Sequence, residues 1–471
     1  MSRDTNIGGT PVEGEHIDDV FAATLDQILL KGHDLEGRKG GERASAQGSR
    51  EIIDFRCSIN TVRDRILVHP GRHWNVVEAV ARLTWMLAGS DRFADIAFYQ
   101  QKAGDFSDNG ISIPGSNYGM RIVNARPGVN QLEGVIKTLS EDLDSRRAAT
   151  VIWSPEDAVR QSKDIPCAFG TFYHVRGGRL IATTQMRSNN AYLLMPFNIF
   201  EFSMLAEIVA ASVGVELGPY VHSVASMHIY ERDWERSQKV VELYRSKGAS
   251  WQRRVMPSMP QSPKPLEQAY ELAKLEARLR NEQGLLKNED VDSLMERGSS
   301  LDDYWRAFYR VLLTYTLERV LRPNMADAVA NLLPPYFRAS VESWLEYQRR
   351  EKAKDQKHKA QMQLDLGLEL PPSQSVDLSS IQGAFAPDLK EDRLQMSLLE
   401  QLCHEIQQSS GTVISLDEFR ALRKRFVTQA PLAIAARSNP GEATAQDRLR
   451  LSREEVAQVL DELRTPKPSP L

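Results

Sequence analysis

Cysteine is nearly absent: three in 471 residues, Cys57, Cys167 and Cys403, far apart and odd in number. That argues against a disulfide framework and suits free thiols in a reducing cytoplasm. No Cys/His spacing fits zinc, so no metal is expected. No eighteen apolar residues run together, and the start, MSRDTNIGGTPVEGEHIDD, lacks the apolar centre of a secretion signal. A soluble, cytoplasmic protein with no membrane partner is the expectation. A strong positive charge is also missing: the formal net charge is -4. Bulk electrostatic binding to nucleic acid is thereby disfavoured, although local basic patches remain open. No internal repeat of fixed period is present.

What is present exceeds one hydrophobic core, so two or three domains are expected. Residues 1–15 read as a polar, Gly-rich disordered arm. HIDDVFAATLDQILLKG carries helical periodicity, and the Gly- and Arg-rich HDLEGRKGGERASAQGSR reads as a flexible loop. EIIDFRCSINT is strand-like, and WNVVEAVARLTWMLAGS is an apolar helix stopped at Gly89. On that helix Glu78 and Arg82, at i and i+4, are expected to form a surface ion pair. TFYHVRGGRLIATTQMR is a hairpin turning at Gly177-Gly178, and IFEFSMLAEIVAASVG an amphipathic helix ended by Gly214. The Pro-rich RVMPSMPQSPKPL marks a boundary near residue 262. A helical domain is expected over 263–350, with Trp305, Tyr309, Tyr315, Phe337 and Trp344 as its packing core. A polar disordered linker over 351–392 and a small helical region over 393–471 follow.

Four clusters in the middle of the chain carry chemistry. Cys167 lies behind Pro166 as a candidate nucleophile, and Arg187-Ser188 suit an anion. Asn198, after Pro196-Phe197, can donate and accept at once, which suits the polar edge of a flat heterocycle. His228-Ile229-Tyr230 offer hydroxyl binders.

Pro166-Cys167, Arg187-Ser188, Pro196-Phe197-Asn198-Ile199 and His228-Ile229-Tyr230 resemble, in order and spacing, the signature of thymidylate synthase and the pyrimidine-nucleotide hydroxymethylases. Tyr118-Gly119 and Asp144-Ser145-Arg146-Arg147 are similar to further family motifs. The resemblance covers about residues 16–260 and implies an α+β fold: a thymidylate synthase-like mixed-sheet catalytic domain over 16–262, followed by α-helical C-terminal regions. It implies transfer of a one-carbon unit from methylenetetrahydrofolate to C5 of a uridylate (dUMP), through a Cys167 thiolate adduct at C6, giving dTMP. Tyr118 joins the catalytic set. Arg187 and Ser188 take the phosphate, with Arg187 near the sulfur as well; His228 and Tyr230 take the sugar hydroxyl. Arg146 and Arg147 reach the phosphate of the neighbouring subunit, so a homodimer is implied. A further phosphate arginine belongs to the early loop, where Arg38, Arg43 and Arg50 stand and the choice between Arg43 and Arg50 stays open.

The folate side departs from the pattern. Asn190 stands where the family usually has a pterin-binding aspartate, Ser226 replaces the aspartate before His-x-Tyr, and Ala168 follows the cysteine where His is common. Arg82 occupies the place of a catalytic glutamate three positions before Trp85, and whether Glu78, one turn earlier, does that acid-base work instead stays open. No tryptophan lies between Asp91 and Arg147. Hydroxymethylation, with water quenching the intermediate, is therefore an alternative, as is a catalytically degraded nucleotide-binding module with a partner-binding tail. Gln363-Leu364-Asp365-Leu366-Gly367 and Gln395-Met396-Ser397-Leu398-Leu399 resemble loose sliding-clamp-binding pentapeptides.

Overall fold

The computed structural model describes residues 9–37, 47–247, 253–284, 286 and 288–365. The chain divides into two compact units, Met1–His358 and Lys359–Leu471, and the architecture below is that of the first. Its first half contains β1 (Val12–Gly14), α1 (Ile17–Lys31), β2 (His33–Leu35), β3 (Ser49–Ile59), α2 (Val76–Ala88), α3 (Phe93–Ala97), α4 (Tyr118–Val123), α5 (Gln131–Glu141) and β4 (Ala149–Val151). β5 (Ala168–Arg176), β6 (Arg179–Asn190), α6 (Met195–Val213), β7 (Glu216–Tyr230) and α7 (Trp234–Lys247) complete the sheet region. The helices α8 (Pro265–Asn281), α9 (Val291–Glu296), α10 (Asp303–Arg319), α11 (Pro323–Asn331) and α12 (Pro335–Asp365) follow.

The strands form one mixed sheet, ordered β1-β3-β7-β6-β5-β4 with β2 paired to β3. β1 with β3 and β6 with β7 are parallel; the remaining pairs are antiparallel. The expected hairpin is β5–β6. Its two turn residues, Gly177 and Gly178, take φ of +57° and +72°, the positive pair that a two-residue type I′ turn requires. The Tyr118-Gly119 pair has a packing reason: a Cβ on Gly119 would lie 1.7 Å from the Met86 carbonyl oxygen, so only glycine lets α4 approach α2 this closely.

Helix α6 is the centre of this first unit. The amphipathic helix expected there is buried around its whole circumference, because β6 and β7 cover one side and α2, α5 and α8 cover the others. It is long and apolar enough to cross a membrane, yet 89% of that window is buried within the protein. Two acids ride on it into the core, Glu201 and Glu207, each 1–2% exposed. Ionised carboxylates at that depth require charged partners. Glu207 accepts hydrogen bonds from Arg63 Nε at 2.7 Å, Tyr304 OH at 3.2 Å, the Met259 amide at 3.2 Å and Arg65 Nη2. Burial opposes its ionisation, but Arg65 and Arg63 outweigh that and hold its pKa below the usual carboxylate value.

Several expected boundaries move. Trp305, Tyr309, Tyr315, Phe337 and Trp344 are buried as expected, but their core is continuous with that of the sheet. Tyr304 reaches Glu207, and Tyr315 donates to the Phe98 carbonyl at 2.5 Å. The break expected at residue 262 therefore separates no two cores: apolar faces of α8 and α10 need α2 and α6 to cover them. β1 lies inside the expected N-terminal arm because its backbone completes the edge of β3. β2 and the start of β3 occupy both ends of the expected early loop, and α12 carries on to Asp365, inside the expected linker. Arg38 and Arg43 lie outside the described residues, as does the second clamp-like pentapeptide; of the first, Gln363, Leu364 and Asp365 end α12.

Replacing Glu207 by Gln leaves two arginines competing for a neutral acceptor in the core. We expect a loss of about 3–5 kcal/mol of stability, the usual cost of breaking a buried ion pair, measured by denaturant unfolding. A change below about 1 kcal/mol, the worth of an exposed pair, would contradict this account of α6.

Candidate active site

Cys167 ends the loop that enters β5, beside a register irregularity between Ala168 and Gly170. Its carbonyl accepts the Arg187 amide at 2.8 Å, so β6 clips the loop in place. The Arg187 side chain folds back on the same loop: Nε donates to the Pro166 carbonyl at 2.8 Å and Nη2 to the Ile165 carbonyl at 3.1 Å. Its guanidinium also lies 5.8 Å from the Trp153 ring centre. Burial pushes the Cys167 thiol above its ordinary pKa; Arg187 opposes the shift and Asp164 adds to it. Tyr118 is buried and stacked on Phe202 at 5.6 Å. Its phenol is held well above the ordinary value by burial first, then by Cys167 and Glu201, against Arg82 and Arg187. Cys167, Arg187, Tyr118, Arg82 and Glu201 thus form one electrostatic neighbourhood.

Parallel pairing of β6 with β7 sets Ser188 beside Ser226 and Asn190 beside His228. The His228 ring meets Tyr230 edge-on at 5.1 Å. Burial lowers the His228 pKa, partly offset by a hydrogen bond to the Ser226 backbone and then by Glu51, so the imidazole is neutral at pH 7. Glu51 arrives from β3 and accepts from the Ser226 hydroxyl, so a carboxylate from the next strand stands by the position where the sequence pattern lost one.

The helix α2 expectation is revised. Arg82 does not form a surface pair with Glu78; its Nε donates to Glu201 Oε1 at 2.6 Å, because the buried acid on α6 is the stronger partner. Glu78 accepts from Gln100 Nε2 at 3.2 Å, and burial raises its pKa, partly offset by Arg82. Asn198 is 2% exposed and already bonded at both ends of its amide: Oδ1 accepts from Asn189 at 2.9 Å and Nδ2 donates to Glu201 Oε2 at 3.1 Å. One N–H and one oxygen lone pair remain for a ligand.

Three of the expected arginines stand apart, and one expected amide is placed with its donor free. Arg50 is committed to Asp34, at 2.5 and 3.0 Å, to the Leu29 carbonyl at 2.8 Å and to the Trp234 ring face. Strand alternation turns it away from Glu51, so a phosphate role would need it to release Asp34. Arg146 and Arg147 are exposed in the turn before β4. Asn190 is buried; its Oδ1 accepts the Leu193 amide at 2.7 Å, which fixes the amide orientation, and its Nδ2 has no protein partner. It therefore offers a donor, where the resemblance implies an acceptor. That donor fits a ring carbonyl such as the one on a folate pteridine.

Glu201, Asn189, His222 and Tyr220 are the residues that the sequence motifs do not reveal. The signal for Glu201 was available: a single charge inside the otherwise uncharged, mostly apolar FNIFEFSML.

A thymidylate synthase family model matches residues 19–253. A protein of Methanosarcina acetivorans named "Putative thymidylate synthase" is 32% identical over 235 residues, 50% of this chain and 95% of that protein. The chain belongs to the thymidylate synthase family. Family relatives include the Bacillus phage SP01 protein named deoxyuridylate hydroxymethyltransferase, 31% identical over 195 residues, 39% of this chain and 50% of that protein. The Bacillus licheniformis thymidylate synthase is 34% identical over 112 residues, 24% of this chain and 39% of its own length. The solved thermostable thymidylate synthase A of Bacillus subtilis shares 22% identity with a TM-score of 0.42, over 48% of this chain and 84% of that one.

The thiol environment has a direct consequence for reactivity. A raised pKa keeps Cys167 protonated at pH 7, so alkylation by iodoacetamide should be slow there and accelerate as pH rises beyond the ordinary thiol range. Cys57, pushed up to about 12 by burial, should react later. Arg187→Gln removes the cation that opposes the shift and should move the Cys167 profile to higher pH. A midpoint below the ordinary thiol value, or a profile indifferent to Arg187→Gln, would contradict this.

Proposed function

We propose that the protein transfers a one-carbon unit to C5 of a uridylate, dUMP in the first instance, with Cys167 as the nucleophile. The observation that carries the reading is the shared electrostatic neighbourhood of Cys167, Arg187, Tyr118 and Glu201, with the buried amide of Asn198 bonded to Glu201. C5 of uracil is a weak nucleophile. When the Cys167 thiolate forms a bond to C6, the C5=C6 π electrons move toward O4, and the resulting enolate makes C5 nucleophilic. Forming that thiolate requires the thiol proton to leave, which Arg187 favours by stabilising the anion. Asn198 orients the ring through its remaining donor and acceptor. The Tyr118 phenol keeps its proton and can donate a hydrogen bond. Arg187 with Ser188 suits the phosphate, and neutral His228 with Tyr230 suits the sugar hydroxyl. Methylenetetrahydrofolate, when bound, would supply the carbon, with the free Nδ2–H of Asn190 donating to the pteridine carbonyl.

Ile53 on β3, Val151 on β4 and Phe169 and Phe172 on β5 are exposed apolar side chains that a second copy of the chain packed on the sheet would cover, which supports the homodimer reading. Arg146 and Arg147 would then serve the partner's phosphate.

A second product is favoured by one observation. The stretch from Asp91 to Arg147 holds no indole where the resemblance implies indoles near the folate and the exocyclic methylene, and without that apolar cover water would have access to the intermediate. The product would then be a 5-hydroxymethyl nucleotide, and product mass separates it from thymidylate.

A 5-fluorinated dUMP with methylenetetrahydrofolate is expected to become covalently trapped, seen as a mass increase on the peptide containing Cys167 and abolished by Cys167→Ser. Trapping that persists in Cys167→Ser or maps to Cys57 would overturn the assignment, and sedimentation of the native protein as a monomer would remove the shared site.

A further inference from the structure

Asn198 lies inside a buried polar chain that runs from Arg82 on α2 through α6 into the sheet. The Asn189 Nδ2 donates to Asn198 Oδ1 at 2.9 Å, and Asn189 Oδ1 faces His222 Nε2 at 2.9 Å. His222 Nδ1 faces the Tyr220 hydroxyl at 3.1 Å. On the other side Asn198 Nδ2 faces Glu201 Oε2 at 3.1 Å, and Glu201 Oε1 accepts from Arg82 Nε at 2.6 Å. Asn189, Asn198, Glu201 and His222 are all at most 3% exposed, so water cannot repair a mismatch.

Two amides, an imidazole and a phenol can each donate in either direction; a carboxylate can only accept and a guanidinium can only donate. The direction of the whole chain is therefore decided at its Arg82–Glu201 end. With Glu201 accepting, Asn198 must turn its NH2 toward Glu201 and its oxygen toward Asn189. Asn189 must turn its oxygen toward His222, and His222 must carry its proton on Nε2 and accept from Tyr220. Burial pushes the His222 pKa down to about 3, so it stays neutral and holds a single tautomer.

We propose that Glu201 is the positioning residue that sets which pyrimidine the site accepts, by fixing the donor and acceptor directions of Asn198 through this chain. This inference rests on the reading that the site binds a pyrimidine nucleotide. Uracil and cytosine differ at their recognised edge by interchange of donor and acceptor: N3–H and O4 in one, N3 and 4-NH2 in the other. Reversing the chain interchanges the remaining N–H and lone pair of Asn198. Glu201→Gln permits that reversal at constant shape. A glutamine whose oxygen stays on Arg82 presents its NH2 to Asn198, and each downstream group can turn over, ending with the His222 proton on Nδ1.

Two measurements test it. First, nitrogen NMR of histidine-labelled native protein, with the His222 signal assigned by its loss in His222→Gln, should show the Nε2–H tautomer without any nucleotide present. In Glu201→Gln it should show Nδ1–H. Second, native protein and Glu201→Asp, which keeps the acceptor, should bind dUMP more tightly than dCMP by on the order of tenfold, as expected for one mismatched polar contact. Glu201→Gln should lose or invert that preference. An Nδ1–H tautomer in the native protein overturns the inference whether or not the variants fold. So does a Glu201→Gln protein that keeps the native base preference. Absence of binding of either nucleotide to native protein would instead overturn the functional reading, while the tautomer result stands by itself.

Discussion

The structure depends on two carboxylates carried into the core by one buried helix. Glu201 and Glu207 lie on α6, which the sheet, α2, α5 and α8 enclose, and neither acid can remain charged there without an arginine. Glu207 takes Arg63 and Arg65 from the segment before α2 and the Tyr304 hydroxyl from α10, so the C-terminal helices become part of the same body as the sheet. Glu201 takes Arg82 from α2 and the amide of Asn198 from its own helix, so the second pair lies among the groups proposed to meet the substrate. One constraint, pairing buried charge, thus joins the fold to the site.

The same pairing reinterprets the losses seen in the motifs. Arg82 stands where the family pattern carries a glutamate, and Ser226 where it carries an aspartate. In each case a carboxylate arrives from a neighbouring element: Glu201 from α6 beside Arg82, and Glu51 from β3 on the Ser226 hydroxyl. A catalytically degraded site would leave the nucleotide residues without such support. Here Cys167, Arg187 and Tyr118 share an electrostatic environment with Glu201, which favours the enzymatic reading over a bare binding module.

Local signals in the sequence were strong enough to read the sheet region. The paired glycines at the β5–β6 turn and the left-handed glycines after α2 and α6 follow from backbone sterics. What local signals do not carry is the environment of a helix. IFEFSMLAEIVAASVG has the composition of a one-sided helix, but β6, β7, α2, α5 and α8 close on it from all sides. Likewise the proline-rich stretch near residue 260 marks a change of texture without marking a break in the core. Within the site, Cys167, Arg187, Asn198 and His228 were legible as motifs. The relay of Asn189, His222 and Glu201 was not, because its members lie on three elements and come together only when β6, β7 and α6 pack. Arg50 shows the converse: the pattern offered it, with Arg43, as a candidate phosphate ligand, and strand alternation turns it onto Asp34, which a phosphate would have to displace.

The central claim is that Cys167 activates C5 of a bound uridylate by adding to C6, and exchange of the C5 hydrogen reports that addition before any carbon is transferred. dUMP deuterated at C5, incubated with the full chain with and without methylenetetrahydrofolate, should lose deuterium to water in a reaction that Cys167→Ser abolishes. Nucleotide that binds without any exchange in either condition, or exchange that survives Cys167→Ser, would contradict the account.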